Sequence, residues 1–197
     1  VVGDNGKLVL DDQDRLVSME SIPTEDGQGQ SIYVGDVDTI TLTDGTNTVI
    51  GGVAGDKIDA GAGINTVLGD DGKATFASGN LQTIESTNSG QGGIDEITLL
   101  SGTNTVIGGA AGDQISLGTG TNTVLGDEGS LLVDSQTQFT TIESINGNVG
   151  GQDTITVGNG FNIAVGGADK DTITVTGSTS DARGIVVGDN GKLVLDD

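Results

Sequence analysis

Apolar and polar residues repeat along this chain at an interval of nine positions. In most of the nine-residue words the sixth residue is polar and the eighth is β-branched or apolar, as in the words that begin at Leu42, Gly51 and Ala60. Such words cover residues 33–77, 90–134 and 148–174. No apolar period of 3.6 residues competes with this pattern, and β-branched residues favour strands. The pattern predicts an all-β protein in which each word is a turn followed by a short strand.

Two successive words predict one coil of a two-sheet solenoid, in which residues 18 apart stack about 4.8 Å apart on the same edge. Between the sets of words lies a looser segment that contains Glu20, Glu85 or Glu143, each followed by Ser. We expect this segment to add a sixth strand to each set. The fold class predicted is therefore a parallel β-roll or β-solenoid with about nine two-strand coils in each repeat unit, about 43 Å long.

The chain also contains longer repeats. Residues 1–12 (VVGDNGKLVLDD) recur unchanged as residues 186–197, a period of 185 residues. Within that period the pattern V-x-G-D-x-G begins at Val1, Val67, Val124 and Val186. We therefore expect one continuous domain with sub-repeats at residues 1–66, 67–123 and 124–185, and with residues 186–197 starting the next repeat. A sequence that returns to its first segment indicates a tandem array whose copies stack end to end.

Three words resemble the nonapeptide G-G-x-G-x-D-x-U-x of RTX, or haemolysin-type, repeats: Gly51-Gly52-Val53-Ala54-Gly55-Asp56-Lys57-Ile58, Gly108-Gly109-Ala110-Ala111-Gly112-Asp113-Gln114-Ile115 and Gly166-Gly167-Ala168-Asp169-Lys170-Asp171-Thr172-Ile173. The resemblance implies a right-handed parallel β-roll, of the kind found in giant bacterial secreted and surface proteins, with calcium in its turns. One feature departs from the family, because the fourth-position Gly is replaced by Ala54, Ala111 and Asp169.

The sixth positions of the words separate by residue type. One edge of the coil is expected to collect the aspartates, and the other the asparagines Asn47, Asn65, Asn104, Asn122 and Asn162. Carboxylates stacked about 5 Å apart repel by roughly 1 to 3 kcal/mol, whereas stacked amides can donate to one another. Calcium takes six to eight oxygen ligands and would neutralise the acidic edge. The predicted Ca²⁺ ligands are Asp38, Asp56, Asp95, Asp113, Asp153 and Asp171, with Asp4, Asp70, Asp127 and Asp189 supplying the coils between them.

The ninth word position on the asparagine side is apolar: Ile50, Leu68, Ile107, Leu125 and Val165. If side chains alternate, these residues form an outward stripe through which two copies could associate laterally. The alternative is that the chain turns early and places them inside the fold.

The composition excludes several classes of function. The 197 residues carry a net charge of −22 and include 36 Gly but neither His nor Cys. Catalytic triads that use His, and zinc sites that use His or Cys, therefore cannot form, and we expect no enzymatic activity. The charge disfavours binding to nucleic acid, and the absence of any run of about 18 apolar residues predicts no membrane insertion.

The function expected from these features is structural. The chain is predicted to be a repeat of an extracellular or cell-surface filament, sheath or giant adhesin shaft that is stabilised by calcium. The alternative is an RTX-type module that folds in response to calcium and accompanies a secreted toxin or hydrolase.

Overall fold

The structure, a computed structural model, describes residues 1–26, 28–133, 139–176 and 183–195. Strands and their connecting turns account for these residues, and the predicted all-β class is confirmed. No helix in these ranges is long and apolar enough to cross a bilayer.

Most of the nine-residue words form two six-stranded parallel sheets. Sheet 1 contains, in spatial order, β5 (Thr39–Leu42), β7 (Lys57–Ala60), β11 (Glu96–Leu99), β13 (Gln114–Leu117), β17 (Thr154–Val157) and β19 (Thr172–Val175). Sheet 2 contains β6 (Gly45–Ile50), β8 (Gly63–Leu68), β12 (Gly102–Gly109), β14 (Gly120–Asp127), β18 (Gly160–Gly167) and β20 (Arg183–Asp189). Each strand of sheet 1 is followed in the chain by a strand of sheet 2, so the chain passes back and forth between the two sheets.

Five of the six strands of sheet 2, all except β20, begin at glycines because the turn from sheet 1 requires them. Gly63 and Gly102 have φ of 139° and 141°, a region that other residues rarely adopt. A Cβ built on Gly63 would also collide with the backbone carbonyl of Gly45, the equivalent glycine of the neighbouring strand. These glycines thus allow both the turn and the close stacking of successive turns.

A third sheet replaces the remaining predicted coils. It is antiparallel and contains, in spatial order, β1 (Gly6–Leu10), β2 (Leu16–Ser21), β9 (Gly72–Ala77), β10 (Asn80–Ser86), β15 (Gly129–Val133), β16 (Phe139–Ser144) and β21 (Lys192–Val194). A separate two-stranded ribbon joins β3 (Thr24–Glu25) and β4 (Ser31–Ile32).

The prediction of nine two-strand coils is therefore wrong for the fifth words of the first two sets, residues 69–77 and 126–134, and for the segments containing Glu20, Glu85 or Glu143. These pieces form antiparallel strand pairs, as in the β9–β10 hairpin, instead of a third parallel coil. Each 185-residue period thus places six strands in each sheet. At about 4.8 Å per strand the period is about 29 Å long, shorter than the 43 Å expected from nine coils.

Sheet 2 is the middle layer and is covered on both faces. Core 1 lies between sheets 1 and 2 and contains the eighth word positions, which pack in rows such as Ile58, Ile97 and Ile115. Core 2 lies between sheets 2 and 3, where Ile107 and Leu125 pack with Met19, Ile84 and Ile142. A parallel sheet that is buried on both faces accounts for two adjacent apolar residues, such as Val106 and Ile107, in each of its strands.

The proposed outward stripe is therefore wrong. Ile50, Leu68, Ile107, Leu125 and Val165 are at most 1% exposed and belong to core 2. The side chains do alternate, but sheet 3 covers the face on which these residues lie.

The sub-repeat boundaries at 66/67 and 123/124 fall inside β8 and β14. They mark the period of the sequence, while the three sheets run past them without a break.

Candidate functional site: two side-chain ladders

The aspartate ladder runs along one edge of core 1. Its members are the residues that precede each strand of sheet 1: Asp38, Asp56, Asp95, Asp113, Asp153 and Asp171. Parallel strands in register bring them into one line, so the predicted grouping of these six aspartates is confirmed.

In five of the six aspartates, all except Asp38, one carboxyl oxygen links adjacent strands of the ladder. The backbone N–H of Asp56 donates to Oδ1 of Asp95 at 2.6 Å, and that of Asp95 donates to Oδ1 of Asp113 at 2.8 Å. The same bond recurs from Asp38 to Asp56, from Asp113 to Asp153 and from Asp153 to Asp171, at 2.7 to 3.0 Å. Each of these five bonds therefore extends the hydrogen bonding between two strands of sheet 1 by one residue.

The other oxygen has no such partner. Within the described residues, Oδ2 of Asp56, Asp95, Asp113, Asp153 and Asp171 is buried and accepts no hydrogen bond. Asp95 and Asp113 are 0% exposed. Oδ2 of Asp113 lies against Gly108, where a built Cβ would collide with it, and the other four Oδ2 atoms face glycines of sheet 2 or of the turn after it in the same way. An acceptor buried without a donor or cation is costly.

Burial makes these groups weak acids. Loss of water raises the pKa of Asp56 to about 6 and that of Asp153 to about 8, against the smaller lowering effect of the backbone N–H that each carboxylate accepts. Burial and the neighbouring carboxylates also raise the pKa of Asp95 and Asp113. At neutral pH, protons therefore compete with any cation for the interior of the ladder.

The residues present match a calcium site in chemistry but not in geometry. Five buried carboxylate oxygens without partners are the kind of donor that calcium prefers. However, no group of three or more acidic side chains in the described ranges lies close enough together to hold a metal ion. The glycine Cα atoms also pack directly against the free oxygens. The ladder as it stands does not form a calcium coordination shell.

The second set of predicted ligands lies elsewhere. Asp4, Asp70, Asp127 and Asp189 do not fill coils between the ladder aspartates, because β7 pairs directly with β11. They lie at or just beyond the ends of sheet 2 strands, where the chain turns towards sheet 3. The expected position of these four residues is therefore wrong, and the reason is that the hairpins of sheet 3 replace the intervening coils.

Three of these four aspartates tie neighbouring loops together. Oδ1 and Oδ2 of Asp70 accept the backbone N–H groups of Gly93 and Ala110, at 3.0 and 2.5 Å. Asp127 accepts those of Gly151 and Ala168. Asp4 accepts those of Asp36 and Val53 in the same manner, whereas Asp189 is exposed. Both oxygens of Asp4, Asp70 and Asp127 are thus used by the protein itself.

Two further buried acidic residues were not predicted from the sequence. Glu128, 3% exposed, accepts the backbone N–H of Gly90 and the side-chain amide of Asn146, each at 2.6 Å. Asp71, 4% exposed, accepts the side-chain amide of Asn88 at 3.1 Å. The sequence signal that could have identified them is an acidic residue directly after Asp70 and Asp127. At the equivalent positions after Asp4 and Asp189 the chain has Asn.

The asparagine ladder occupies the opposite edge of core 1, and its prediction is confirmed. Nδ2 of Asn65 donates to Oδ1 of Asn104 at 2.9 Å, and Nδ2 of Asn104 donates to Oδ1 of Asn122 at 2.9 Å. The same Nδ2 of Asn104 donates to the carbonyl of Leu100 at 2.9 Å. The bonds run from Asn47 to Asn162 without a gap. Because amides both donate and accept, this ladder needs no counter-ion.

Comparisons with known proteins add no relative. No protein-family model, no curated protein and no solved structure matches the chain. The resemblance to RTX repeats therefore remains a prediction.

Proposed function

We propose that this chain is one unit of a β-solenoid shaft, a structural element of an extracellular or cell-surface filament, sheath or adhesin. In this proposal, the unit has no catalytic role, and the shaft lengthens as further copies of the unit stack end to end. Sheets 1 and 2 supply the two strands of each coil, and sheet 3 is a covering layer built from hairpins.

The observation that carries the proposal is the placement of the two identical segments. Val2, in the first segment, bridges to Ile50 of β6 at one end of sheet 2. Val187, its counterpart in the second segment, pairs with Val165 of β18 at the other end. One sequence thus pairs on one side with the first strand of the unit and on the other side with the last. In the proposed array, one such segment would therefore join the end of one unit to the start of the next.

Neutralisation of the aspartate ladder is the second part of the proposal. Calcium is the proposed counter-ion, and the support for it is the chemistry of the five free carboxyl oxygens, since the ladder of the described residues does not itself form a coordination shell. Titration of the metal-free chain with CaCl₂, followed by thermal melts, tests this part. A rise in melting temperature with calcium, and a smaller rise with magnesium at equal ionic strength, would support calcium. An unchanged melting temperature would remove it from the proposal.

Electron microscopy of chains with one, two and four 185-residue units tests the structural function. We expect straight rods that lengthen by about 29 Å for each added unit. Flexibly linked particles of one-unit size would contradict the proposal.

A second candidate is a module whose folding is switched by a cation. The aspartate ladder favours it, since its buried carboxyl groups must either bind protons or be neutralised by a cation, and a chain without a cation therefore loses stability as the pH rises. Multi-unit chains separate the two candidates, because a folding switch predicts a cation-dependent transition without any requirement for rods.

A further inference from the structure

The two identical segments differ from their internal counterparts in burial. The pattern V-x-G-D-x-G is buried at all six positions in residues 67–72 and again in residues 124–129. In residues 1–6 and 186–191 none of the six positions is buried. The internal segments have neighbouring strands on both sides, whereas each terminal segment has a neighbour on one side within the described chain.

The two terminal segments use opposite edges. Residues 1–10, called the N-terminal copy, lie on β6 and pair with β2, where Leu8 is opposite Met19. Residues 186–195, called the C-terminal copy, lie on β18 and pair with β16, where Leu193 is opposite Ile142. Since the two copies have the same sequence, one segment can make both sets of contacts at once.

The charges of sheet 3 agree with such sharing. Nζ of Lys7 lies 3.6 Å from Glu20, and Nζ of Lys192, its counterpart, lies 2.7 Å from Glu143. Inside the sheet, Lys73 stands between two acids, 3.4 Å from Glu20 and in register with Glu85. A strand shared between two molecules would likewise hold one lysine between Glu143 of one copy and Glu20 of the next.

From these contacts we propose that separate copies of this chain join head to tail by strand exchange. The C-terminal copy of one molecule displaces the N-terminal copy of the next from its position on β6 and β2, called the acceptor site. This inference rests on the proposed stacking function. The displaced strand and the incoming strand have the same sequence, so the hydrogen bonds lost at the acceptor site are formed again by the incoming strand. The gain is burial of the shared strand from both sides, as in residues 67–72.

The N-terminal copy is suited to displacement because it contributes little to the core. Leu8 and Leu10 are 55% and 53% exposed, and Val2 is the one residue of this copy that packs against core 2 in the described structure. Exchange therefore exposes little apolar surface while the acceptor site is empty. Its rate and extent are expected to rise with protein concentration, because association of two molecules is required.

Identical substitutions at the two ends test the proposal with matched variants. In the full chain, Val2→Ser with Leu8→Ser weakens the strand that must leave, whereas Val187→Ser with Leu193→Ser weakens the strand that must enter. Sedimentation velocity at several concentrations should show head-to-tail oligomers for the first variant, beyond those of the unaltered chain, and monomers for the second. Equal behaviour of the two variants, or a monomeric first variant, would overturn the proposal.

Charge reversal provides a test at exposed positions, where folding is not threatened. Lys192→Glu places a third acid between Glu143 and the Glu20 of the next molecule, and should reduce oligomers at least ten-fold. Lys7→Glu weakens only the N-terminal copy and should increase them. The opposite order, or no difference, counts against strand exchange.

Binding of a labelled ten-residue peptide, VVGDNGKLVL, measures the affinity of the acceptor site directly. Fluorescence anisotropy should show saturable binding to the unaltered chain and at least ten-fold tighter binding to the Val2→Ser, Leu8→Ser variant. A scrambled peptide is the control, and equal binding of both peptides would show that β6 and β2 do not form a specific acceptor site. Covalently joined units form rods whether or not exchange occurs. Rods without exchange would therefore refute only this inference, and the absence of rods would refute the proposed function as well.

Discussion

The backbone N–H of Asp95 donates to Oδ1 of Asp113 at 2.8 Å, while Oδ2 of the same Asp113 is buried without a hydrogen-bond partner among the described residues. The bond repeats along sheet 1 and extends its ladder of hydrogen bonds. The orphaned oxygen repeats with it. A feature that aligns the strands thus accumulates charge inside the protein, and neutralising that charge is the main condition that this fold sets on its surroundings.

Acid should stabilise the metal-free protein. The pKa values of the ladder aspartates are raised in the fold, so the folded state binds more protons than the unfolded state. Their contribution is complete below about pH 4 and is lost as the pH rises through about 6 for Asp56 and about 8 for Asp153. Thermal melts in EDTA should show a melting temperature about 10 °C lower at pH 8 than at pH 5. A melting temperature that stays constant or rises over this interval would contradict the prediction.

Asp113→Asn should stabilise the metal-free chain at pH 8. The amide keeps the Oδ1 that accepts the N–H of Asp95 and is neutral without binding a proton, so we expect a gain of about 1 to 3 kcal/mol in the free energy of unfolding. At pH 4 the gain should vanish, because the carboxyl group is then neutral. Asp12→Asn, at an exposed position, is the matched control and should change stability little at either pH. Urea denaturation measures both, and a loss of stability for Asp113→Asn at pH 8 would show that the charge is compensated.

Asn104→Ala should destabilise the protein at every pH. The substitution removes the bonds from Nδ2 to Asn122 and to the Leu100 carbonyl, and the acceptor of Asn65 as well. The expected cost is about 2 to 4 kcal/mol. Thr103→Ala, at the exposed preceding position, should cost far less and is the control. Equal effects of the two substitutions in urea denaturation would mean that the asparagine ladder adds no stability.

Ile107→Ala tests core 2. Ile107 is 0% exposed beneath sheet 3, and its truncation should lower the free energy of unfolding by about 2 to 5 kcal/mol. Ile64→Ala, at a residue 54% exposed, is the control and should cost less than about 1 kcal/mol. If Ile107→Ala instead leaves stability intact and alters self-association, core 2 is not closed as described.

The nine-residue period predicted both ladders and core 1 because each depends on one position per word. Asp113 and Asn104 lie at the sixth position, and parallel strands in register stack equal positions without further information. The apolar residue at the eighth position likewise identified Ile115 and Val106 as core.

The hairpins of sheet 3 were not predicted, because residues 69–77 and 126–134 keep the apolar eighth residue of the nine-residue frame, although their sixth residues, Ala74 and Leu131, are apolar as well. Residues 73–76 alternate polar and apolar side chains as any strand does, and alternation does not distinguish a parallel coil from a hairpin. The informative signal was local: Ser78 and Gly79 both adopt positive φ and reverse the chain between β9 and β10. Without sheet 3, the burial of Ile107 and Leu125 could not be foreseen.

The atomic structure of a chain with two 185-residue units measures the central claim most directly. We expect all three sheets to continue across the junction, with the backbone N–H of Asp171 donating to the carboxylate of the second unit's counterpart of Asp38. We also expect residues 186–191 to be buried like residues 67–72. A junction at which the sheets end, with residues 186–191 still exposed between two separate units, would contradict it.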